Sequence, residues 1–182
     1  MSKAYKFRSP DGLYFISFAT VGWIDVFTRR EYKELLVESI EYCQNNKGLG
    51  LYAWCIMSNH VHMIVKAKEG YVLPDIIRDF KKFTSKRIIK AIENNIQESR
   101  KGWMLAIFEN AGAYNSNNKE YQFWQQHNRP IEIYSPKVIS QKVDYIHYNP
   151  VEEGIVEQPE QYLYSSAKDF NEEKGLLKLE LL

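Results

Sequence analysis

Apolar and polar positions along this chain change their period several times, and each change marks an element. Residues 13–21, LYFISFATV, follow the turn signal SPDG and are rich in aromatic and β-branched side chains, which predicts a strand. The stretch TRRE has the spacing of a capping box, Thr28 to Glu31. Tyr32, Leu35, Leu36, Ile40 and Cys43 then fall at helical spacing, and Asn46 and Gly48 are expected to stop that helix. Residues 50–57, GLYAWCIM, and the following HVHMIVKA predict two strands. Only Ser58 and Asn59 stand between them, so a tight hairpin is expected.

Pro74 opens a second helix with a core face of Ile76, Ile77, Phe80, Phe83, Ile88, Ala91 and Ile92. A shorter helix is expected over 99–111, and NSNNKE at 115–120 reads as a loop. YQFWQQ and IEIYS, on either side of HNRP, predict one or two short strands. Ser135 followed by Pro136 suits the cap and first position of a helix running to about Asn149, where NPVEEG ends it. The rest, about 151–182, is expected to be an irregular tail carrying at most one short helix. The order β-α-β-β-α, then a late strand and helix, predicts one domain over 1–182. Its class is α+β: an antiparallel sheet with helices packed on one face, ferredoxin-like. That class of fold hosts many activities, so function has to come from particular residues.

Composition narrows the field only a little. The chain has 182 residues, 45% hydrophobic and 26% charged, as an ordinary globular domain does. A net charge of +1 excludes a uniformly basic nucleic-acid binder but leaves room for a local basic face. Cys43 and Cys55 lack metal-type spacing and read as buried free thiols in a reducing compartment. With no apolar signal segment and no run approaching a membrane span, a cytoplasmic protein without membrane contact is expected.

The candidate chemistry begins at SNHVHMIVKA. On a strand, His60 and His62 project from one face while Val61 projects from the other. Two imidazoles so placed can converge on Mn, Zn or another transition metal, but such a pair more often merely lines a polar sheet face, so the motif alone is weak. On the helix after Ser135, Ile139, Val143 and Ile146 form an apolar stripe. Gln141, Tyr145 and Asn149 form a polar strip away from it. Spacing alone leaves Tyr145 as an ordinary half-buried tyrosine.

The two stretches together say more. MSNHVHMIV, followed about 80 residues later by VDYIHYNPVEEGIV, resembles the single-tyrosine HUH transposases, in particular the REP-associated tyrosine transposase branch. FWQQHNRPIEIYS and PEQYLYSSAKDF resemble the same branch. The resemblance implies that His60, His62 and Asn149 are ligands of a divalent metal, Mg²⁺ or Mn²⁺, and that Tyr145 is the nucleophile. It implies an HUH endonuclease that nicks single-stranded or hairpin DNA, including repetitive palindromic elements, and transfers the strand through a covalent 5′-phosphotyrosine. Relatives include monomers and homodimers.

A DNA-binding face would suit that activity. Arg78, Lys82, Lys86 and Lys90 recur at i, i+4, with Lys81 and Arg87 beside them and Asp79 the only acid in 78–90. Solvated helix faces usually mix signs, whereas this one is nearly all positive and could follow phosphates. Tyr52, Trp54, Trp103 and Trp124 read as core residues rather than base-stacking surfaces, with room for one of them to be exposed. Two alternatives stand beside the transposase reading: a non-catalytic binder of DNA hairpins, and a hydrolytic metal phosphodiesterase in which Tyr145 is structural.

Overall fold

A computed structural model of the chain describes residues 7–114 and 120–182. The elements are β1 (Tyr14–Ala19), α1 (Arg30–Asn46), β2 (Leu49–Ile56), β3 (His60–Ala67), α2 (Leu73–Asn94) and α3 (Lys101–Ala113). They continue with β4 (Ile131–Glu132), α4 (Pro136–Glu152) and α5 (Ala167–Phe170). The strands form one antiparallel sheet in the order β2-β3-β1-β4, the ferredoxin-like arrangement expected from the sequence. Residues 115–119 of the expected 115–120 loop lie outside the described residues.

Alternation sorts the sheet into two faces. His62 pairs with Ser17 on one side and Cys55 on the other, so these three share a face with His60, Ile64 and Phe15. Ile16, Phe18, Trp54, Val61 and Met63 point the opposite way. On that rear face Phe18 meets Phe80 of α2 edge-on at 6.0 Å and Trp124 at 4.9 Å, and α1 packs beside α2. On the front face Tyr145 of α4 meets Phe15 at 5.9 Å. Helices therefore cover both faces, not one. The ferredoxin-like core explains the rear pair, and α4 is an addition that closes the front.

Local differences from the expected pattern have identifiable causes. The Thr28–Glu31 capping box does not form, because the Thr28 hydroxyl donates to the Asp25 carbonyl (3.0 Å) within a preceding 3-10 turn. Arg29 becomes the cap residue of α1, with no side-chain bond to the helix. On α2, Phe83 is 54% exposed while Thr84 is buried. The Thr84 hydroxyl donates to Phe80 O (2.8 Å) and accepts from the Trp124 indole (3.0 Å), so the buried stripe passes through 80, 84 and 88 and misses 83. Ser135 does cap α4, accepting from Val138 N at 3.4 Å. That helix runs on through Pro150 to Glu152 instead of ending near Asn149. Proline within a helix removes a hydrogen bond and costs about 3 kcal/mol. Here Asn149 and Pro150 are both buried against the fold, which offsets that penalty.

The tail is irregular apart from a 3-10 turn and α5, and its place in the fold is definite. Ile56 N donates to Tyr164 O (2.9 Å) and Ser166 N to Trp54 O (2.9 Å), so residues 164–166 line the open edge of β2. Glu180 N donates to Leu51 O (2.8 Å) further along that edge. The GLLKLELL stretch thus covers a strand that would otherwise offer unpaired backbone groups. Cys43 and Cys55 are buried free thiols, as expected. Among the described residues, no helix is long and apolar enough to cross a membrane.

Candidate metal and nucleophile site

The front face carries the expected residues together. His60 and His62 have ring centroids 4.6 Å apart, and the Tyr145 ring lies edge-on 5.2 Å from His62. Asn149, one helical turn beyond Tyr145, is buried and close enough to the His60 ring to oppose part of the burial-driven lowering of its pKa. β3 supplies the histidines and α4 supplies the tyrosine and amide of the same chain. Phe15, stacked on His62 at 5.5 Å, forms the apolar floor between them.

The hairpin that presents His60 is clamped from three sides. Met57 N donates to His60 O (2.8 Å), closing the two-residue turn. Thr20 N and Phe27 N donate to the carbonyls of Asn59 (2.9 Å) and Ser58 (2.8 Å). The Asn59 amide nitrogen donates to Trp23 O (3.2 Å), which turns its Oδ1 towards His60 Nδ1 at 2.6 Å. A carboxamide oxygen can only accept, so His60 carries its proton on Nδ1 and keeps the Nε2 lone pair free. Fixing one ring nitrogen in this way is how proteins orient a metal-binding imidazole.

Electrostatics favour neutral rings. His62 is 4% exposed, and burial, the neighbouring His60 and the Lys142 ammonium pull its pKa down to about 3. Burial also lowers His60. Neutral imidazole is the ligating form, so neither ring has to lose a proton near pH 7. Both ring nitrogens of His62 are buried without a hydrogen-bond partner. Such a group costs about 1–3 kcal/mol unless something satisfies it. Among the described residues no three His, Cys, Asp or Glu side chains cluster as a metal site. Two imidazoles plus the Asn149 carboxamide nevertheless make a suitable donor set for a divalent cation, and the orphaned His62 nitrogens fit it.

Two neighbours were not legible as site residues. Lys142 sits three residues before Tyr145, with Nζ 4.6 Å from the Phe15 ring centre and 5.5 Å from that of Tyr145. Its i−3 spacing to the tyrosine was the available signal. Trp23 meets His60 edge-on at 5.9 Å, and nothing local marked it. Tyr148 is exposed and shares no ring contact with either histidine. His147 faces away, bonded to Ser166 Oγ at 2.8 Å, and His127 is a surface residue.

The basic helix divides. Lys82, Lys86 and Lys90 are exposed and, among the described residues, have no ion-pair partner. Arg78 is exposed but held by Asp75 and Asp79, and Arg87 by Glu38 (2.6 Å). Lys81 turns inward: its Nζ donates to Gln125 O (2.7 Å) and Asn128 Oδ1 (2.9 Å), and burial pulls its pKa down to about 8. It secures the 125–128 loop and is not part of an open stripe. All of these residues lie on α2, behind the sheet, away from Tyr145.

The family model described as "Transposase IS200 like" matches residues 18–111, just over half of the chain, including both histidines and α2. A REP-associated tyrosine transposase solved bound to a REP hairpin has a similar fold, with a TM-score of 0.67 and 18% identity. That likeness covers 100% of this chain and 93% of the other. A structure described as a "putative transposase" from Deinococcus radiodurans R1 is 20% identical over 80% of this chain and 95% of its own, with a TM-score of 0.41. No curated protein matches.

Proposed function

The chain belongs to the IS200-like transposase family, and from that premise we propose that it nicks and rejoins single-stranded or hairpin DNA with Tyr145 as nucleophile. The observation that carries this reading is the Tyr145 ring 5.2 Å from a buried His62 whose two nitrogens have no partner. A structural tyrosine would gain nothing from a neighbour left in that state.

His60, His62 and Asn149 would hold Mg²⁺ or Mn²⁺. When bound, the cation polarises the scissile phosphate and offsets charge in the transition state. The chain's own residues do the rest. α4 holds the Tyr145 phenol beside the ligands with the residue 43% exposed, so a strand can reach it from solvent. Its oxygen attacks phosphorus and the bond to the 3′ oxygen breaks; the departing 3′ oxygen takes a proton from solvent to become a hydroxyl, while the phenolic proton passes to solvent. One phosphoester replaces another, so a later 3′-hydroxyl can reverse the step without an added energy source. Lys142 supplies a positive charge next to the phenol, where phosphate charge would lie. Phe15 and the Asn59–His60 bond keep the two rings in position.

The packing of α4 on its own sheet, with Tyr145 5.2 Å from His62, supports a reading in which the tyrosine would serve the histidines of the same chain. The fold neighbour was solved on a REP hairpin, which makes hairpin-bearing strands the first substrates to test. Lys82, Lys86 and Lys90 would attract the backbone of the strand or hairpin on the rear side.

Incubation with hairpin-bearing single strands and Mg²⁺ or Mn²⁺, followed by a denaturing gel, tests the proposal. Wild type should form a protein–DNA adduct, and Tyr145→Phe should lose it completely while still binding DNA. Cleavage without any adduct would favour the hydrolytic reading, and binding with no cleavage the non-catalytic one. An adduct that persists in Tyr145→Phe and vanishes in Tyr148→Phe would move the nucleophile to Tyr148.

A further inference from the structure

Trp23 lies on the 3-10 turn Val21–Trp23 between β1 and α1, and its backbone is unusual. Gly22 and Trp23 have φ of 64° and 55°, both in the left-handed region. Glycine tolerates that region, whereas a bulky L-residue there is strained and needs external restraint. The restraint is present. Trp23 N donates to Thr20 O (3.1 Å), Asn59 Nδ2 donates to Trp23 O (3.2 Å), and Thr20 Oγ1 donates to Ile24 O (2.8 Å). Strain held this firmly normally serves either core packing or a site.

Core packing does not account for it. Trp54 and Trp124 are buried, but Trp23 is 51% exposed. Among the described residues its one aromatic ring contact is the edge-on meeting with His60 at 5.9 Å. The backbone therefore spends its strain on holding a large, uncharged, half-bare aromatic surface beside a candidate metal ligand. The same Asn59 side chain that grips the Trp23 carbonyl also accepts from His60 Nδ1, so ring and ligand are positioned as one unit.

We propose that Trp23 is a stacking platform for an unpaired nucleobase adjoining the bond that is cut. This rests on the reading that His60 and His62 face the scissile phosphate, since a base is attached within one nucleotide of that phosphate. An aromatic face accepts any base, and stacking contributes without using charge. Trp23 thus complements the lysines of α2: it holds the strand at the reacting bond, independently of salt, while they attract its backbone elsewhere.

The test places 2-aminopurine in turn at each unpaired position of a hairpin-bearing strand. Binding is followed by fluorescence with the Tyr145→Phe protein, where no chemistry intervenes. One position should be quenched on binding, and Trp23→Gly in that background should abolish the quench. Glycine suits the left-handed backbone and keeps the carbonyl that Asn59 grips, so the turn survives without the ring. Trp23→Phe should retain most of the signal. In the otherwise wild-type chain, Trp23→Gly should raise KM about tenfold to a hundredfold with kcat little changed and the salt dependence unaltered. An abasic nucleotide at the quenched position should bring wild type and Trp23→Gly to the same KM. Equal quenching or equal KM in wild type and Trp23→Gly on the intact strand overturns the platform. Absence of an adduct in wild type, with the quench present, overturns the nuclease reading alone.

Discussion

The two faces of the sheet are built from alternate residues of the same three strands, yet they are finished in different ways. Behind the sheet, Phe18, Phe80 and Trp124 interlock edge to face, and the Trp124 N–H finds the Thr84 hydroxyl. The Trp54 indole N–H is the one rear donor among these aromatics left without a partner. In front, a single added helix covers two histidines, and it leaves both nitrogens of His62 unsatisfied and the Tyr145 ring open to solvent. The rear face gives up exposure to gain packing. The front gives up satisfied hydrogen bonds to keep ligands and a nucleophile available. Stability should therefore reside behind the sheet and reactivity in front, and the two should separate on mutation.

The largest expected effect is on the front. His60→Ala and His62→Ala should abolish the metal-dependent adduct, and Asn149→Ala should need about tenfold or more additional metal. Metal-free His62→Leu should unfold no more easily than wild type, because it removes buried nitrogens that have no partner. A denaturing gel and a urea titration read the two outcomes. Full activity in His62→Leu, or a loss of several kcal/mol in its metal-free stability, would erase the distinction between the faces.

On the rear the order should reverse. Phe80 is 3% exposed, and Phe80→Ala should destabilise the fold by about 3–5 kcal/mol. Protein that remains folded, assayed at low temperature, should still form the adduct. If adduct formation falls far more than the folded fraction, the faces are coupled through the sheet.

Acid should weaken the clasp that anchors the tail to α4. His147 is buried against Ser166 and Phe170, with its pKa pulled down to about 4 by burial and partly restored by Asp144. Its unfolded value is near 6.5. Between these two values the unfolded chain holds a proton that the native chain does not, so stability is full above about 6.5 and falls as the pH drops towards 4. In metal-free protein His62, at about 3, contributes with the same sign. His147→Gln should flatten the fall in unfolding free energy between pH 6.5 and 4. An unchanged slope would place the acid sensitivity elsewhere.

The smallest effect expected is at the exposed lysines of α2. Each phosphate neutralised on a single strand contributes about 0.7 to the slope of log affinity against log salt. Lys82→Gln with Lys86→Gln should flatten that slope by roughly 1 to 1.5, equally for specific and scrambled strands. Lys81→Gln should instead loosen the 125–128 loop. No change of slope in the double variant would return this face to ordinary solvation.

Much of what the chain determines locally was legible in its sequence, although the Thr28–Glu31 capping box does not form and Phe83 lies off the buried stripe of α2. Alternation placed His60 and His62 on one face, two residues between strands implied the hairpin, and Ser135 with Pro136 announced α4. Each depends on the backbone period or on a cap within a few residues. Which face a neighbour covers is a different kind of fact. The placement of α4 over Phe15 and His62, its passage through Pro150 and the inward turn of Lys81 all follow from burial against residues far away in sequence. So does the left-handed Trp23 gripped by Asn59, whose partners lie 36 residues apart. Periodicity states which side chains share a surface, and only packing decides what that surface meets.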